Sequence, residues 1–287
     1  MIYLYDVCMT DVITKFRNYL MGEKKSMNTV KTYVSIVKNF LDFVNNENIE
    51  EINMEDIERY KEYLSVNKNM SKQTIYITMK ALQSFFKFLK REDLIKLNTP
   101  KRSRKLPTYL NEMEMSLILE KSRENLRDHV ILMTLAFTGL RVSELVSLNV
   151  EDIDFYENII HVKSGKGDKD RIVVLDSGVL NLIKEYLKGE KRLTGPVFIS
   201  KKKVRITTTQ IERIVKKYVR MAGINKKVTP HTFRHTFATT LLRNGADIRF
   251  IQQLLGHSSI ATTQIYTHVD ENALKDVYMK AKPKYLS

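Results

Sequence analysis

A basic, proline-containing segment at residues 98–107 interrupts the helical pattern of this chain and most constrains how it can fold. Before it, apolar residues recur every three or four positions, which is the spacing of helices that bury one face. The segment itself has two prolines and four positive charges without a negative one. Such a break is typical of a linker between domains. We therefore predict a helical domain at 1–97, a linker at 98–107 and a second domain at 108–287.

The first domain is predicted to be a small helical bundle. Helical spacing begins at Met27 and repeats more briefly from Ile57 to Leu64. Ser71 can cap a longer helix whose apolar stripe runs on to Leu89. Three amphipathic helices that follow one another closely in the chain can bury their apolar faces against each other.

The second domain is predicted to be mostly helical with a small sheet, so the fold class is mainly α with an α+β second half. Apolar runs at Ile159–Val162 and Ile172–Val174 flank the charged segment Ser164–Asp168, the pattern of a β-hairpin. Helices are expected on both sides of this hairpin. Two of them have clear boundary signals: Thr229 before a proline as an N-cap, and Asp247 with Gly256 as the two ends of a helix.

The charge of the chain predicts a polyanionic partner. Lys and Arg number 48 against 33 Asp and Glu, a net charge of +15. Nucleic acid is the first choice and an anionic membrane surface the second. The single cysteine excludes an internal disulfide, and the longest uncharged apolar stretch, Val130–Leu140, is too short to span a bilayer. We expect a cytoplasmic protein that is not inserted in a membrane.

The charge is concentrated in the stretch Ser200–Lys227, which has ten basic residues and one acidic residue. Basic side chains on successive helical turns can neutralise phosphates and release their counterions, although a solvated surface is the simpler alternative. The residues predicted to contact nucleic-acid phosphates are Lys201, Lys202, Lys203, Arg205, Arg213, Lys216, Lys217 and Arg220.

Two local patterns suggest a site for an anionic group. In Thr138-Gly-Leu-Arg141, a glycine interrupts an apolar helix, and Glu144 follows the arginine three residues later. This is either a simple ion pair or a guanidinium oriented by a carboxylate for bidentate phosphate recognition. Lys166 lies between two glycines at the hairpin tip, a weak signal by itself that does not fit a P-loop.

Two further patterns contain histidines. His231 and Arg234 are three residues apart at a helix start, where they can meet one anion together. His235 gives the spacing of two zinc ligands, but Thr232 stands where zinc proteases have glutamate, so we expect no metal and interpret His235 as a packing residue. The last pattern is His257 followed by Tyr266. These cationic donors, without a carboxylate pair or nucleophilic cysteine, suit stabilisation of a phosphoryl transition state.

Together these segments closely resemble the tyrosine site-specific recombinases of the Xer and phage-integrase type. The resemblance is carried by Thr138–Leu148, by the Gly-Lys-Gly tip and above all by the continuous segment His231–Val269. It implies a SAM-like, DNA-clamping core-binding bundle before the linker and a catalytic domain after it. The six catalytic residues of the family fall, without substitution, on Arg141, Lys166, His231, Arg234, His257 and Tyr266.

The resemblance also implies the chemistry. Tyr266 would attack a DNA phosphodiester to give a 3′-phosphotyrosyl bond, with His231 as the base and Lys166 as the acid for the leaving 5′-oxygen. Arg141, Arg234 and His257 would hold the non-bridging oxygens, and Glu144 would orient Arg141. No cofactor or metal is expected, because the phosphotyrosyl ester conserves the energy of the DNA ester.

The implied partner is double-stranded DNA with an inverted-repeat site. A tetramer would bind two such duplexes, and in this tetramer each C-terminal segment would dock on a neighbouring protomer. Resolution of chromosome dimers is the favoured role. A mobile-element integrase, a type IB topoisomerase and a non-catalytic helix-turn-helix protein are the alternatives. The DNA sequence, and any need for a second recombinase or a motor protein, stay open.

Overall fold

The computed structural model of the chain describes residues 2–45, 49–97, 108–163, 170–256 and 271–285. Its internal contacts group the chain into two units, Met1–Lys105 and Leu106–Ser287. The predicted linker at 98–107, the hairpin tip with Lys166, and both His257 and Tyr266 lie outside the described residues.

The N-terminal unit packs four helices around an aromatic core. Three of them follow the predicted pattern, and the fourth, at the N-terminus, was not predicted. Phe16 of that first helix packs edge-on against Phe85, with ring centroids 5.2 Å apart, so it completes the bundle rather than extending from it. The helices are α1 Ile2–Gly22, α2 Met27–Val44, α3 Met54–Val66 and α4 Lys72–Phe88.

The C-terminal unit is built around α6, whose residues from Asp128 to Thr138 are all buried. A helix that is buried on every side must lie inside a layer of other elements, and α5, α8, α9 and α10 all pack against α6. The helices of this unit are α5 Glu112–Ser122, α6 Leu126–Thr138, α7 Val142–Ser147, α8 Ser177–Gly189, α9 Thr208–Met221, α10 Pro230–Arg243, α11 Ile248–Leu255 and α12 Glu271–Ala281.

The predicted hairpin is present and belongs to a three-stranded antiparallel sheet, which confirms the predicted fold class. Its strands are β1 Ile153–Asp154, β2 Ile159–Val162 and β3 Arg171–Val174, in that order. Ile159 pairs with Val174, and Val162 pairs with Arg171 where the strands leave the sheet for the hairpin tip. Val162 and Arg171 are therefore the last pair of these two strands, on either side of residues 163–170 in the sequence.

The helix ends around the site follow the predicted signals. The Thr229 side chain accepts a hydrogen bond from the backbone of Thr232, and Pro230 is the first residue of α10. Gly139, at φ +61°, ends α6, and a Cβ there would lie 2.5 Å from the ring of Phe237. Only glycine fits this turn, because it combines a left-handed backbone with a close approach.

The C-terminal segment packs on its own C-terminal unit in this single chain. Tyr278 of α12 is fully buried, and its hydroxyl donates to the carbonyl of Phe137 at 2.9 Å. Tyr285 lies edge-on to the Phe137 ring, with centroids 5.4 Å apart, and burial raises the pKa of Tyr285 to about 12. Docking of this segment on a neighbour would therefore require it to leave a core position.

Among the described helices, none combines the length and the apolar character needed to cross a bilayer.

Candidate active site

Three arginines from different elements meet at the C-terminal end of α11. Arg171 donates from Nε to the Leu254 carbonyl at 2.8 Å, and Arg141 donates from Nη2 to the Gly256 carbonyl at 2.8 Å. Arg234 donates from Nη2 to the carbonyl between them, that of Leu255. The last carbonyls of a helix have no partner within the helix and carry its negative dipole end, so they attract cations.

Arg234 joins two helix ends. Its other terminal nitrogen, Nη1, donates to the carbonyl of Gly139 at 2.6 Å, just after α6. Arg234 lies on the inner side of α10 and is only 4% exposed. A buried guanidinium held by two carbonyls has a fixed plane, which suits bidentate recognition of an oxyanion.

Arg141 is placed by the turn that Gly139 makes. It is the N-cap residue of α7, and the Glu144 carboxylate accepts a hydrogen bond from its backbone nitrogen at 2.7 Å. The same carboxylate accepts a second bond from Arg141 Nη1 at 2.9 Å. Arg141 is one-third exposed as a side chain, so it is bound to the protein and still reaches the surface.

Glu144 also binds a residue that the sequence patterns did not indicate. Arg171 Nη1 and Nη2 donate to its two carboxylate oxygens at 2.7 and 2.8 Å. Burial raises the pKa of Glu144, but hydrogen bonds from Arg171 and Arg141 outweigh it and hold that pKa below its usual value. Glu144 therefore carries its charge at neutral pH, and two guanidinium groups, those of Arg141 and Arg171, share this one carboxylate.

Arg171 had one signal in the sequence. It precedes Ile172-Val173-Val174 in a strand, and the alternation of side chains puts it on the same side as buried Val173. An arginine on the inward side of a strand needs an internal acceptor, and Glu144 supplies it.

His231 lies in the first turn of α10 and is exposed, whereas Arg234 on the same helix is buried. The two are therefore at different depths, with the imidazole nearer the surface. His235 is half-buried, and its pKa is lowered by burial and by the neighbouring His231. The pair does not form part of a metal-binding group with a third described ligand.

The predicted DNA-contacting residues separate into distinct groups. Arg213, Lys216, Lys217 and Arg220 lie on the exposed face of α9, opposite its buried residues. Lys217 donates to the Tyr218 hydroxyl at 3.1 Å, and Lys203 pairs with Glu190. Lys201 and Lys202 are exposed in the turn before Arg205.

Arg205 is used inside the protein. It donates to the carbonyl of Val146 at 2.8 Å and to Asn149 Oδ1 at 2.7 Å, where it fixes the chain that follows α7. Arg205 is also only partly exposed, whereas the other predicted contacts of this stretch are exposed, so we leave Arg205 out of the proposed phosphate-contacting set.

The fold and this site match one family. Residues 108–273 match the phage integrase family, and residues 12–96 match the phage integrase N-terminal SAM-like domain. The tyrosine recombinase XerC of Thermodesulfovibrio yellowstonii is 38% identical over 94% of this chain and 96% of its own length. A XerA recombinase crystal structure is 43% identical, covers 96% of this chain and 100% of its own, and has a TM-score of 0.52.

A structure of the XerH site-specific recombinase bound to its difH substrate is 25% identical, with a TM-score of 0.67 over 86% of this chain and 78% of that one. The chain therefore belongs to the tyrosine recombinases of the phage integrase family. It is a site-specific recombinase, an enzyme that cleaves and rejoins DNA, and its similarity to XerC and XerA makes it Xer-like.

Proposed function

We propose that this chain cleaves DNA with Tyr266 and exchanges strands between two inverted-repeat sites through a 3′-phosphotyrosyl intermediate. The observation that carries the proposal is the meeting of Arg141 and Arg234 at the end of α11. These two guanidinium groups come from separate segments; Arg141 is held by the Gly256 carbonyl and Glu144, and Arg234 by the carbonyls of Gly139 and Leu255. The chain continues from this point through His257 to Tyr266.

In the proposed step, the Tyr266 Oη–P bond forms and the bond from phosphorus to the 5′-oxygen of DNA breaks. A phenol with a pKa of about 10 is ionised in only about one part in a thousand at pH 7, a shortfall of roughly 4 kcal/mol. His231 takes the phenolic proton, and Lys166 gives a proton to the leaving 5′-oxygen. The freed 5′-hydroxyl of one duplex then attacks the phosphotyrosyl bond of the other.

Arg141 and Arg234 hold the non-bridging oxygens, and His257 donates a hydrogen bond to one of them. The ester bond to tyrosine conserves the energy of the DNA ester. For that reason the reaction needs no nucleotide hydrolysis and no redox cofactor, and its charge stabilisation comes from these side chains without a metal ion.

DNA binding is divided between the two halves in this proposal. Residues 1–97 clamp the duplex, 98–107 link the halves and 108–287 form the catalytic domain. The phosphate-contacting set of the catalytic domain is Lys201, Lys202, Lys203, Arg213, Lys216, Lys217 and Arg220. We call the four residues of this set that lie on α9 (Arg213, Lys216, Lys217 and Arg220) the basic face; they point away from the core of their own unit.

The basic face gives a salt-dependence prediction. Replacing Lys216 and Arg220 with glutamine should lower the slope of log affinity against log salt by about 2, because each lost phosphate contact removes about 0.9. Anisotropy with a labelled duplex at several salt concentrations measures this slope. The matched control replaces two exposed lysines, Lys121 of α5 and Lys188 of α8, with glutamine. This control should leave the slope unchanged. Equal slopes for both double variants would exclude the basic face from the interface.

Four protomers act on two duplexes in the proposed assembly, and each C-terminal segment docks on a neighbouring protomer. Deleting residues 271–287 should impair pairing of two sites more than binding to one site. Because Tyr278 and Tyr285 are buried, the deletion also opens the core of its own unit. Single-site affinity and far-ultraviolet circular dichroism therefore serve as the folding control in native gel assays of assembly. Unchanged assembly on two sites would refute the docking.

The biological role we propose is resolution of chromosome dimers in the cytoplasm, as the Xer names of its relatives suggest. Integration of a mobile element is the second candidate, since the matching family model is that of phage integrases.

The proposal is tested by sequencing the DNA that remains attached to the chain after denaturation of cell extracts. One recurrent inverted repeat attached at Tyr266 is the expected result. Duplexes of that sequence with a nick near the cleavage point then trap the adduct in vitro. Absence of any adduct would leave a DNA-binding protein without catalysis, and an adduct without joint products would indicate a topoisomerase.

A further inference from the structure

We propose that Arg171 is a positioning residue of the cleavage site, which holds Arg141 and the end of α11 in register with strand β3. The inference rests on the proposed function of this site. Arg171 is assigned no contact with DNA, since all three of its guanidinium nitrogens bind groups of the protein and it is not among the six residues that match the family's catalytic set. It acts through the residues that it binds.

The guanidinium of Arg171 uses all three of its nitrogens. Nη1 and Nη2 donate to the two oxygens of Glu144, and Nε donates to the carbonyl of Leu254. Arg171 thus makes a bidentate ion pair with Glu144 and a third hydrogen bond through Nε. These three bonds fix the plane of its guanidinium. Of its two partners, Glu144 also binds Arg141, and Leu254 directly precedes Leu255, whose carbonyl accepts from Arg234.

Through Glu144, Arg171 acts on Arg141. Glu144 Oε1 accepts from both guanidinium groups, at 2.9 Å from Arg141 and 2.7 Å from Arg171. The carboxylate is thus shared between a buried arginine and an arginine that reaches the surface. If Arg171 were absent, Glu144 would be left with one cation and could rotate toward it, which would move the Arg141 guanidinium.

Through Leu254, Arg171 acts on the segment that continues to His257. Gly256 ends α11 at φ +62°, and a Cβ there would lie 2.9 Å from Cδ of Arg171. The missing side chain of Gly256 therefore makes room for the arginine beneath the helix end. Arg171 is also the first residue of β3, immediately past the hairpin tip in which Lys166 lies. The Arg171 side chain consequently connects strand β3, in which it lies, to Glu144 of α7 and to the end of α11.

Replacing Arg171 with lysine distinguishes a positioning role of the guanidinium from a general need for a buried positive charge. Lysine keeps the charge, but one ammonium cannot reproduce the planar fork and the third bond. In the full chain, Arg171→Lys should keep the fold and bind the trapped DNA sequence within about threefold of wild type. Its single-turnover cleavage rate at saturating protein should fall about 10- to 100-fold, since small displacements of positioned groups cost rate.

The matched control is Arg127→Lys. Arg127 donates to Asp128 Oδ1 from Nε at 3.0 Å and from Nη2 at 2.7 Å, a similar ion pair to a buried carboxylate in the same unit. It is not part of the site, so its lysine variant should cleave within about threefold of wild type. A purely structural role for Arg171 predicts equal cleavage rates for the two lysine variants, which would overturn the proposal.

A double-variant cycle tests the route through Glu144. If Arg171 acts through this carboxylate, the fold-losses of Arg171→Lys and Glu144→Gln should not multiply, and the double variant should cleave about as slowly as the slower single one. Losses that multiply would show that the two residues act independently and would overturn this route.

A measurement without DNA keeps the inference separate from the proposed function. Nitrogen-15 NMR of the DNA-free chain reports hydrogen exchange at the Arg141 guanidinium, which we expect to be about tenfold faster in Arg171→Lys and unchanged in Arg127→Lys. Equal exchange in all three proteins overturns the inference. Failure of the proposed function would be recognised by a different result: the wild-type chain would form no covalent adduct with DNA.

Discussion

Replacing Tyr266 with phenylalanine is expected to abolish the covalent DNA adduct while leaving DNA affinity unchanged. Phenylalanine preserves the ring but has no oxygen to attack phosphorus, and loss of a nucleophile costs about 10⁴-fold or more in related covalent mechanisms. The phosphate is held in the proposed site by Arg141 and Arg234, which the substitution does not alter. Binding should therefore survive.

Denaturing gels with the nicked duplex measure the adduct, and fluorescence anisotropy measures the affinity. Tyr156→Phe is the matched control, because Tyr156 belongs to the same unit and is 90% exposed. This control should form the adduct at the wild-type rate. An adduct that survives denaturation in Tyr266→Phe would assign the nucleophile to another residue.

Local signals were sufficient for much of the fold. The caps at Ser71, Thr229 and Asp247 all accept the expected backbone hydrogen bonds, and the hairpin forms where the apolar period changes. These features depend on residues close together in the chain, so sequence spacing predicts them directly. Helix α1 is not predicted, because no comparable cap or repeat marks the sequence before Met27.

The proposed site was predicted only in part, because its residues meet through contacts between distant segments. Arg141 and Glu144 lie three residues apart, and their ion pair follows from helical spacing. Arg171 reaches the same carboxylate across 27 positions, and Leu254 across 83. No local pattern encodes such distances. The basic stretch has the same limitation, since composition could not distinguish Arg205, which binds backbone carbonyls, from the exposed cations of α9.

The C-terminal segment shows how one amphipathic pattern can have two uses. Its apolar positions predict a buried face but not the surface that buries it. In the single chain Tyr278 and Ala281 are buried in their own unit. In the proposed tetramer the segment would dock on a neighbour. An exchange of this kind is accessible when the two packed states bury similar apolar area.

The role of Lys166 is expected to depend on the leaving atom of the DNA. Lys166→Ala should slow cleavage of ordinary DNA by about 10² to 10⁴-fold, the usual contribution of a general acid. With sulfur in place of the bridging 5′-oxygen, the same variant should cleave within about tenfold of wild type. A thiol has a pKa of about 8.5, so a thiolate departs without a proton, whereas an alkoxide does not.

Lys163 is the natural control, because it precedes the hairpin tip and is, with Lys169, one of the two lysines nearest to Lys166 in the sequence. Lys163 Nζ donates to Asp152 Oδ1 at 2.7 Å, and this hydrogen bond raises the pKa of Lys163. A raised pKa makes Lys163 a weaker proton donor, and its ammonium is already directed at a carboxylate. Lys163→Ala should therefore cleave ordinary DNA at nearly the wild-type rate. Sulfur in place of the bridging 5′-oxygen should not raise its cleavage rate relative to wild type. Rescue of Lys163→Ala or Lys169→Ala by the sulfur substrate, with none for Lys166→Ala, would move the general acid to that neighbour.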